Sequence, residues 1–153
     1  NVLGYKAANS TEMDIHTPYP VIDIMEDQKN IIQMGGTMRL GAYDCELDTE
    51  SKTYEVYGKQ YISERHRHRW EFNNQYISAF EKEGMRAVGK NPKTGLVEVV
   101  ELQGHPFFIG AQYHPELKST VENPHALFVG FIKAAIEYAT ERKNKPSLQT
   151  GLN

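Results

Sequence analysis

This sequence is poor in cysteine: there is 1, at position 45, so no disulfide can close within the chain, and a reducing compartment is compatible. No apolar run approaches the length of a membrane span, so no membrane partner is expected. The first residues do not read as a signal peptide. Excess positive charge is missing as well. The formal net charge of −3 argues against nucleic-acid binding by bulk charge. No HExxH or CxxC spacing occurs, so the commonest zinc signatures are absent, and no internal repeat is visible. What is present is 39% hydrophobic and 24% charged over 153 residues, the balance of one soluble globular domain with a core of its own. The chain opens on Asn1 rather than Met, and Val2-Leu3-Gly4 reads as the end of an earlier helix stopped at Gly4. A piece of a longer protein is expected.

Along the chain, Ala7–Glu12 (AANSTE) reads as a loop and Tyr19–Met25 as a strand with Pro20 near its start. Gln33–Gly41 (QMGGTMRLG) reads either as a turn into an edge strand or as a mobile loop over a site, since paired glycines permit unusual backbone angles. Thr53–Tyr57 is long enough for one helical turn. In Ile62–Phe72, an extended backbone puts Arg65, Arg67 and Arg69 on one face and His66 and His68 on the other. Asn74–Glu83 carries a helical stripe of Tyr76, Ile77 and Phe80, ended by Gly84. Met85–Gly89 and Leu96–Leu102 flank the turn-rich NPKTG as a hairpin. Phe107–Tyr113 has the composition of a buried central strand. Asn123-Pro124 then supplies an N-cap and a first-turn proline for a helix to about Arg142, with Leu127, Phe128, Phe131, Ile132, Ala135 and Ile136 at helical spacing. Residues 144–153 form a polar tail, expected to be disordered.

The chemistry concentrates at the end of the Phe107–Tyr113 strand. Pro115 cannot donate to a ladder, which leaves His114 and Glu116 two residues apart where open α/β sheets place ligands. An imidazole beside a carboxylate is the base-and-orienter half of a nucleophilic triad; a strand-end histidine satisfied by a surface acid is the plainer alternative. Cys45 is the obvious nucleophile, but it lies between Asp44 and Glu46, which disfavour a thiolate, and it lacks a glycine-flanked elbow. His66 and His68, with His114 or His105, form a candidate metal set that the interleaved arginines oppose. Those arginines also suit a small anion, a substrate carboxylate or a nucleotide phosphate, with Trp70 as a stacking platform.

Four segments in order, ANSTE, MGGTMRLG, ERHRHRWEFN and GHPFFIGAQYHPEL, resemble the class I (triad) glutamine amidotransferase region of the CTP synthase family, from Asn1 to about Tyr138. The resemblance implies the later part of a flavodoxin-like open α/β sheet with flanking helices, residues 1–143, with the N-terminal elements of the domain missing. It implies that His114 is the triad base and Glu116 its orienting acid. It makes Glu12 and Arg69 the residues that bind L-glutamine, and Gly35, Gly36, Thr37, Met38, Arg39 and Leu40 a lid linked to activation by GTP.

The nucleophilic cysteine of that family sits in a G-x-C-x-G elbow, and no such elbow occurs here. The chain is therefore expected to lack the nucleophile and to be inactive alone. The family's activity is hydrolysis of glutamine to glutamate and ammonia, used in the ATP-dependent amination of UTP to CTP. ATP and Mg²⁺ are implied for the parent enzyme, with no cofactor or metal in this segment. The implied partners are the synthase domain and the missing N-terminal half of the amidotransferase domain, in a cytoplasmic homo-oligomer (tetramer) without nucleic acid. A catalytically dead glutamine- or nucleotide-binding module of the same fold is the alternative.

Overall fold

A computed structural model of the chain describes residues 3–24 and 38–144. Among them are eight strands: β1 (Asn9–Ser10), β2 (Pro20–Asp23), β3 (Arg39–Leu47), β4 (Tyr61–His68), β5 (Glu71–Phe72), β6 (Met85–Lys90), β7 (Val97–Leu102) and β8 (Ile109–Ala111). Three α-helices join them: α1 (Lys52–Tyr57), α2 (Ile77–Lys82) and α3 (Ala126–Asn144). The result is an open, mixed α/β arrangement with flanking helices. A five-stranded sheet in the order β4-β3-β6-β7-β8 is antiparallel throughout. A small sheet in the order β1-β2-β5 has β1 parallel to β2 and β5 running against them. No helix among the described residues is long and apolar enough to cross a membrane.

Strand alternation decides what the large sheet buries. Opposed residues of an antiparallel pair share a face. The β3–β4 register pairs Arg39 with His68, Gly41 with His66, Tyr43 with Glu64 and Cys45 with Ile62, and this face turns inward. Leu40, Ala42 and Asp44 share the outer face with Arg67, Arg65 and Ser63. The core gathers Cys45, Leu47, Ile62, Val88, Val99, Tyr113 and Leu127. Gly89 permits this packing, because a Cβ there would stand 2.8 Å from Val99 Cγ2 and 2.9 Å from Cys45 Sγ. The hairpin over NPKTG forms as read, with Val97 opposite Lys90 and Leu102 opposite Met85. Ser51 caps α1 by accepting from the Tyr54 amide, and Gly58, at φ +66°, ends it. Asn74–Glu83 divides into a 3-10 turn, Asn74–Tyr76, and α2, with Gly84 in the left-handed region beyond.

Two expectations are corrected. Phe107–Tyr113 is not a central strand: only Ile109–Ala111 pairs, on one side, against β7, so it is the half-buried last strand of the sheet. Asn123 does not cap α3; its amide donates to Thr120 Oγ1, and the helix starts after His125, whose Nδ1 accepts from the Leu127 amide at 3.3 Å. The apolar stripe of α3 is buried at Leu127 alone, while Phe128, Phe131, Ile132 and Ile136 remain 43–60% exposed. The described elements meet α3 where Gly130 faces Val56 and Phe107 and where Phe131 lies edge-on to Phe107. Met25, Gly35, Gly36, Thr37 and the tail beyond Asn144 lie outside the described residues.

Candidate active site

Pro115 opens a 3-10 turn, Pro115–Lys118, that carries Glu116 in its first turn. That tight turn folds the Glu116 side chain back onto the residue before the proline. His114 Nδ1 lies 2.7 Å from Glu116 Oε1. The bond holds the Glu116 carboxyl below its ordinary value, so it stays ionised and fixes a proton on Nδ1. His114 Nε2 has no hydrogen-bond partner among the described residues, and the side chain is 36% exposed. In its neutral form the ring thus presents the Nε2 lone pair, the state a general base requires.

The turn is anchored on β4. The His114 amide donates to the Arg65 carbonyl at 2.9 Å. Lys118 Nζ donates to the Ser63 carbonyl at 2.6 Å and lies 3.3 Å from Glu64 Oε2. Tyr113 is buried, its hydroxyl 3.0 Å from that of Tyr57. The dyad therefore stands on two strands and a buried tyrosine.

Strand direction brings the two expected glutamine ligands to one end of the small sheet. Glu12 follows the carboxyl end of β1. Arg69 precedes the amino end of β5, which runs against β1 and β2, so both side chains sit at the same end. Glu12 is exposed; its amide donates to Ser10 Oγ, and its carboxylate has no partner among the described residues. Arg69 stacks over Trp70 at 5.9 Å, and its Nε is a buried donor without a partner, as is Trp70 Nε1. Arg69 has passed the end of β4, so the alternation that exposes Arg65 and Arg67 does not govern it. No contact joins Glu12 or Arg69 directly to His114.

Arg39 and Leu40 are strand residues, the first two of β3, and this corrects their reading as part of a loop. Leu40 is exposed, but Arg39 is buried and held by two carboxylates, Glu98 at 2.7 Å and Glu71 at 3.1 Å. A side chain with both ends of its guanidinium in buried ion pairs is fixed to the core. Met38, just before β3, is exposed.

Cys45 is 1% exposed, and burial pushes its thiol up to about 12, with Glu98 and Glu64 adding to the effect. The expectation that it is no nucleophile rests on firmer ground than its neighbours in sequence, because desolvation outweighs Glu46. The histidines of β4 do not sit side by side as metal ligands. His66 Nδ1 and His68 Nε2 point at each other, 2.7 Å apart. His105 is occupied elsewhere, accepting from the Phe107 amide. No group of three or more histidine, cysteine or acidic side chains fit to hold a metal ion occurs among the described residues.

Sequence reasoning missed Glu71, Glu98 and Gln112. Gln112 Nε2 donates to the Trp70 carbonyl at 3.0 Å and to Glu71 Oε2 at 3.1 Å. The signal for Glu98 was available: a lone acid between Val97 and Val99 in a strand whose two faces are both covered.

Comparison with known proteins identifies the family and the fold. The family model for glutamine amidotransferase class-I matches residues 3–134. A CTP synthase of Cytophaga hutchinsonii is 64% identical over 143 residues, 94% of this chain and 26% of that protein. A CTP synthase of Flavobacterium johnsoniae is 59% identical over 136 residues, 89% of this chain and 25% of that protein. Among solved structures, the glutaminase domain of Trypanosoma brucei CTPS with bound acivicin superposes with a TM-score of 0.81 at 34% identity, covering 90% of this chain and 53% of that one. The chain spans about a quarter of the length of the curated relatives it matches. A family match over most of the chain, and a strand-end imidazole–carboxylate pair on the same fold, place it: the chain belongs to the class-I glutamine amidotransferase family.

Proposed function

We propose that this chain is part of a glutamine-hydrolysing CTP synthase, in which it supplies the base, the orienting acid and half of the glutamine pocket. The observation that carries the reading is the 2.7 Å contact of His114 Nδ1 with Glu116, which leaves Nε2 free to accept a proton. The thiol it serves belongs to a cysteine outside these 153 residues, since Cys45 is buried and held in its thiol form.

His114 Nε2 takes the thiol proton as sulfur attacks the side-chain amide carbon of glutamine. Glu116 stabilises the imidazolium so formed. Collapse of the tetrahedral intermediate passes that proton to the departing nitrogen and releases ammonia. Water, deprotonated by the same ring, hydrolyses the thioester to glutamate. At the far end of the substrate, the carboxylate of Glu12 suits the α-ammonium and the guanidinium of Arg69 the α-carboxylate. Both are free of competing ion pairs among the described residues. Ammonia then aminates UTP in a synthase domain outside this segment. ATP and Mg²⁺ act there. GTP activation, a tetrameric assembly and a cytoplasmic setting complete the reading that the family resemblance supports. The 153 residues alone do not hydrolyse glutamine, because removing the nucleophile of a triad lowers the rate by several orders of magnitude.

The test uses the full-length protein. His114→Ala abolishes glutamine-dependent CTP formation and leaves ammonia-dependent formation intact. Equal loss of both activities, or loss of neither, overturns the assignment.

A further inference from the structure

The polar core beneath the site contains a chain of hydrogen bonds whose proton positions can be worked out one by one. It begins at the Trp70 carbonyl, one residue beyond Arg69. His68 Nδ1 lies 3.1 Å from that oxygen and 3.5 Å from Glu71 Oε1. The carbonyl can only accept, so Nδ1 carries the hydrogen. His68 is neutral, because burial and the Arg39 charge hold it down to about 4. Its Nε2 is therefore a bare acceptor. The atom 2.7 Å away, His66 Nδ1, must then be the donor.

His66 is also neutral, held down to about 3 by burial first and by Arg39 second. With its one hydrogen on Nδ1, its Nε2 is a lone pair. That lone pair faces Glu98 Oε2 at 3.6 Å, and both side chains are 0% exposed. Neither atom has a hydrogen-bond partner. At 3.6 Å the two buried acceptors stand just beyond hydrogen-bond distance, and a proton on one of them removes the repulsion between them.

Charge leads to the same place. Among the described residues Arg39 is the one cation in contact with both Glu71 and Glu98, so one carboxyl is balanced and the other is not. Burial raises both carboxyls, and by burial alone Glu71, at about 7, would take the proton first. Hydrogen bonding separates them. Both Glu71 oxygens are occupied by donors, Arg39 Nη1 on each and Gln112 Nε2 on Oε2, whereas Glu98 Oε2 is empty. The extra proton belongs on Glu98.

We infer that Glu98 holds a buried proton shared with His66, that this proton fixes the ring states of His66 and His68, and that His68 and Gln112 together fasten the Trp70 carbonyl and so position Arg69. Gln112 doubles the hold. Its side chain donates to the same carbonyl, and its backbone amide donates to the Glu98 carbonyl at 2.8 Å. Gln112 also lies two residues before His114, so one clamp sets both the arm that meets glutamine and the segment that carries the base. These four are positioning residues. The functional half of the inference rests on Arg69 as a glutamine ligand, as proposed above; the proton assignment does not.

Two measurements on the full-length protein test it. With ¹⁵N-labelled histidine, the ring nitrogens of His66 and His68 are read by long-range proton–nitrogen NMR, assigned by His66→Gln and His68→Asn. The Nδ1–H form is expected on both rings, with His66 Nε2 shifted by a hydrogen bond that Glu98→Ala removes. An Nε2–H form on His68, or a His66 signal indifferent to Glu98→Ala, overturns the chain. Steady-state kinetics test the clamp. Loss of one donor to Trp70, in His68→Leu or Gln112→Met, raises the glutamine KM about tenfold, with ammonia-dependent synthesis unchanged. His68→Asn keeps a donor near the Nδ1 position and restores most of the affinity. An unchanged KM in both variants, or equal loss in His68→Asn and His68→Leu, refutes positioning. Arg69→Ala serves as the control: an unchanged glutamine KM there refutes the glutamine pocket and with it the clamp's role, while the NMR result still decides the proton assignment.

Discussion

Replacing Arg39 by Met removes the cation shared by Glu71 and Glu98 and retains most of the side-chain volume. Both carboxylates are at most 2% exposed, so neither finds water when its partner goes. The gross attraction across the 3.1 Å contact to the ionised Glu71 is about 5 kcal/mol at an effective dielectric near 20. Desolvation of the charged pair offsets most of it in the intact protein. Breaking the cluster from one side is different, because buried charge is left uncompensated, and such changes cost about 3–5 kcal/mol. Part of the loss is recovered if the carboxyls take up protons, so the lower end applies. Amide hydrogen exchange of β3 and β4 reads the local loss without requiring two-state unfolding of a large protein. At about 3 kcal/mol, protection across these strands falls more than about a hundredfold. Adding Glu71→Gln to Arg39→Met removes the stranded charge and recovers at least about tenfold of the protection. A single variant with near-parental protection would show that Arg39 is a loop residue after all and that the buried cluster is not what fixes it.

Glu116→Gln leaves His114 in place but lets its ring take either tautomer; glutamine turnover falls at least about tenfold, with ammonia-dependent synthesis as the control. Gly89→Ala drives a methyl to within 3 Å of Val99 and Cys45, and overpacking of this kind costs about 1–3 kcal/mol, readable as a lower urea midpoint. His66 and His68 titrate below their ordinary value, to about 3 and about 4, so the unfolded chain binds more protons than the folded one between those values and about 6.5. Their contribution to stability is full above that window and is lost as pH falls through it. Glu71, raised to about 7, acts in the opposite sense by favouring the folded state below that pH. Glu98 is raised too, so two acids oppose two rings, and the double variant His66→Gln/His68→Asn removes the histidine part alone: its β4 exchange protection falls less, or rises more, from pH 6.5 to pH 4.5 than the parent's.

Much of the local structure was legible because it depends on near neighbours. The β4 alternation, the NPKTG hairpin, the α1 turn and the helix over Leu127–Ile136 follow from period and turn chemistry. The His114–Glu116 contact was legible for the same reason, since a proline between two side chains leaves few ways to turn. Arg69 and Glu12, 57 residues apart in number, were paired only through a family resemblance, and strand direction in the small sheet is what places them at one end. Sequence pattern could not say that the Phe107–Tyr113 segment ends the sheet, because an apolar run reads alike with one neighbour or two. Nor could it say that α3 leaves Phe131 and Ile132 uncovered, since periodicity reports a face and not what packs on it. The buried cluster of Arg39, Glu71, Glu98, His66 and His68 draws on four strands, β3, β4, β5 and β7. Charge in a sequence reads as surface until the fold removes the water, and only then do a cation, two acids and two neutral rings fix where each proton must be.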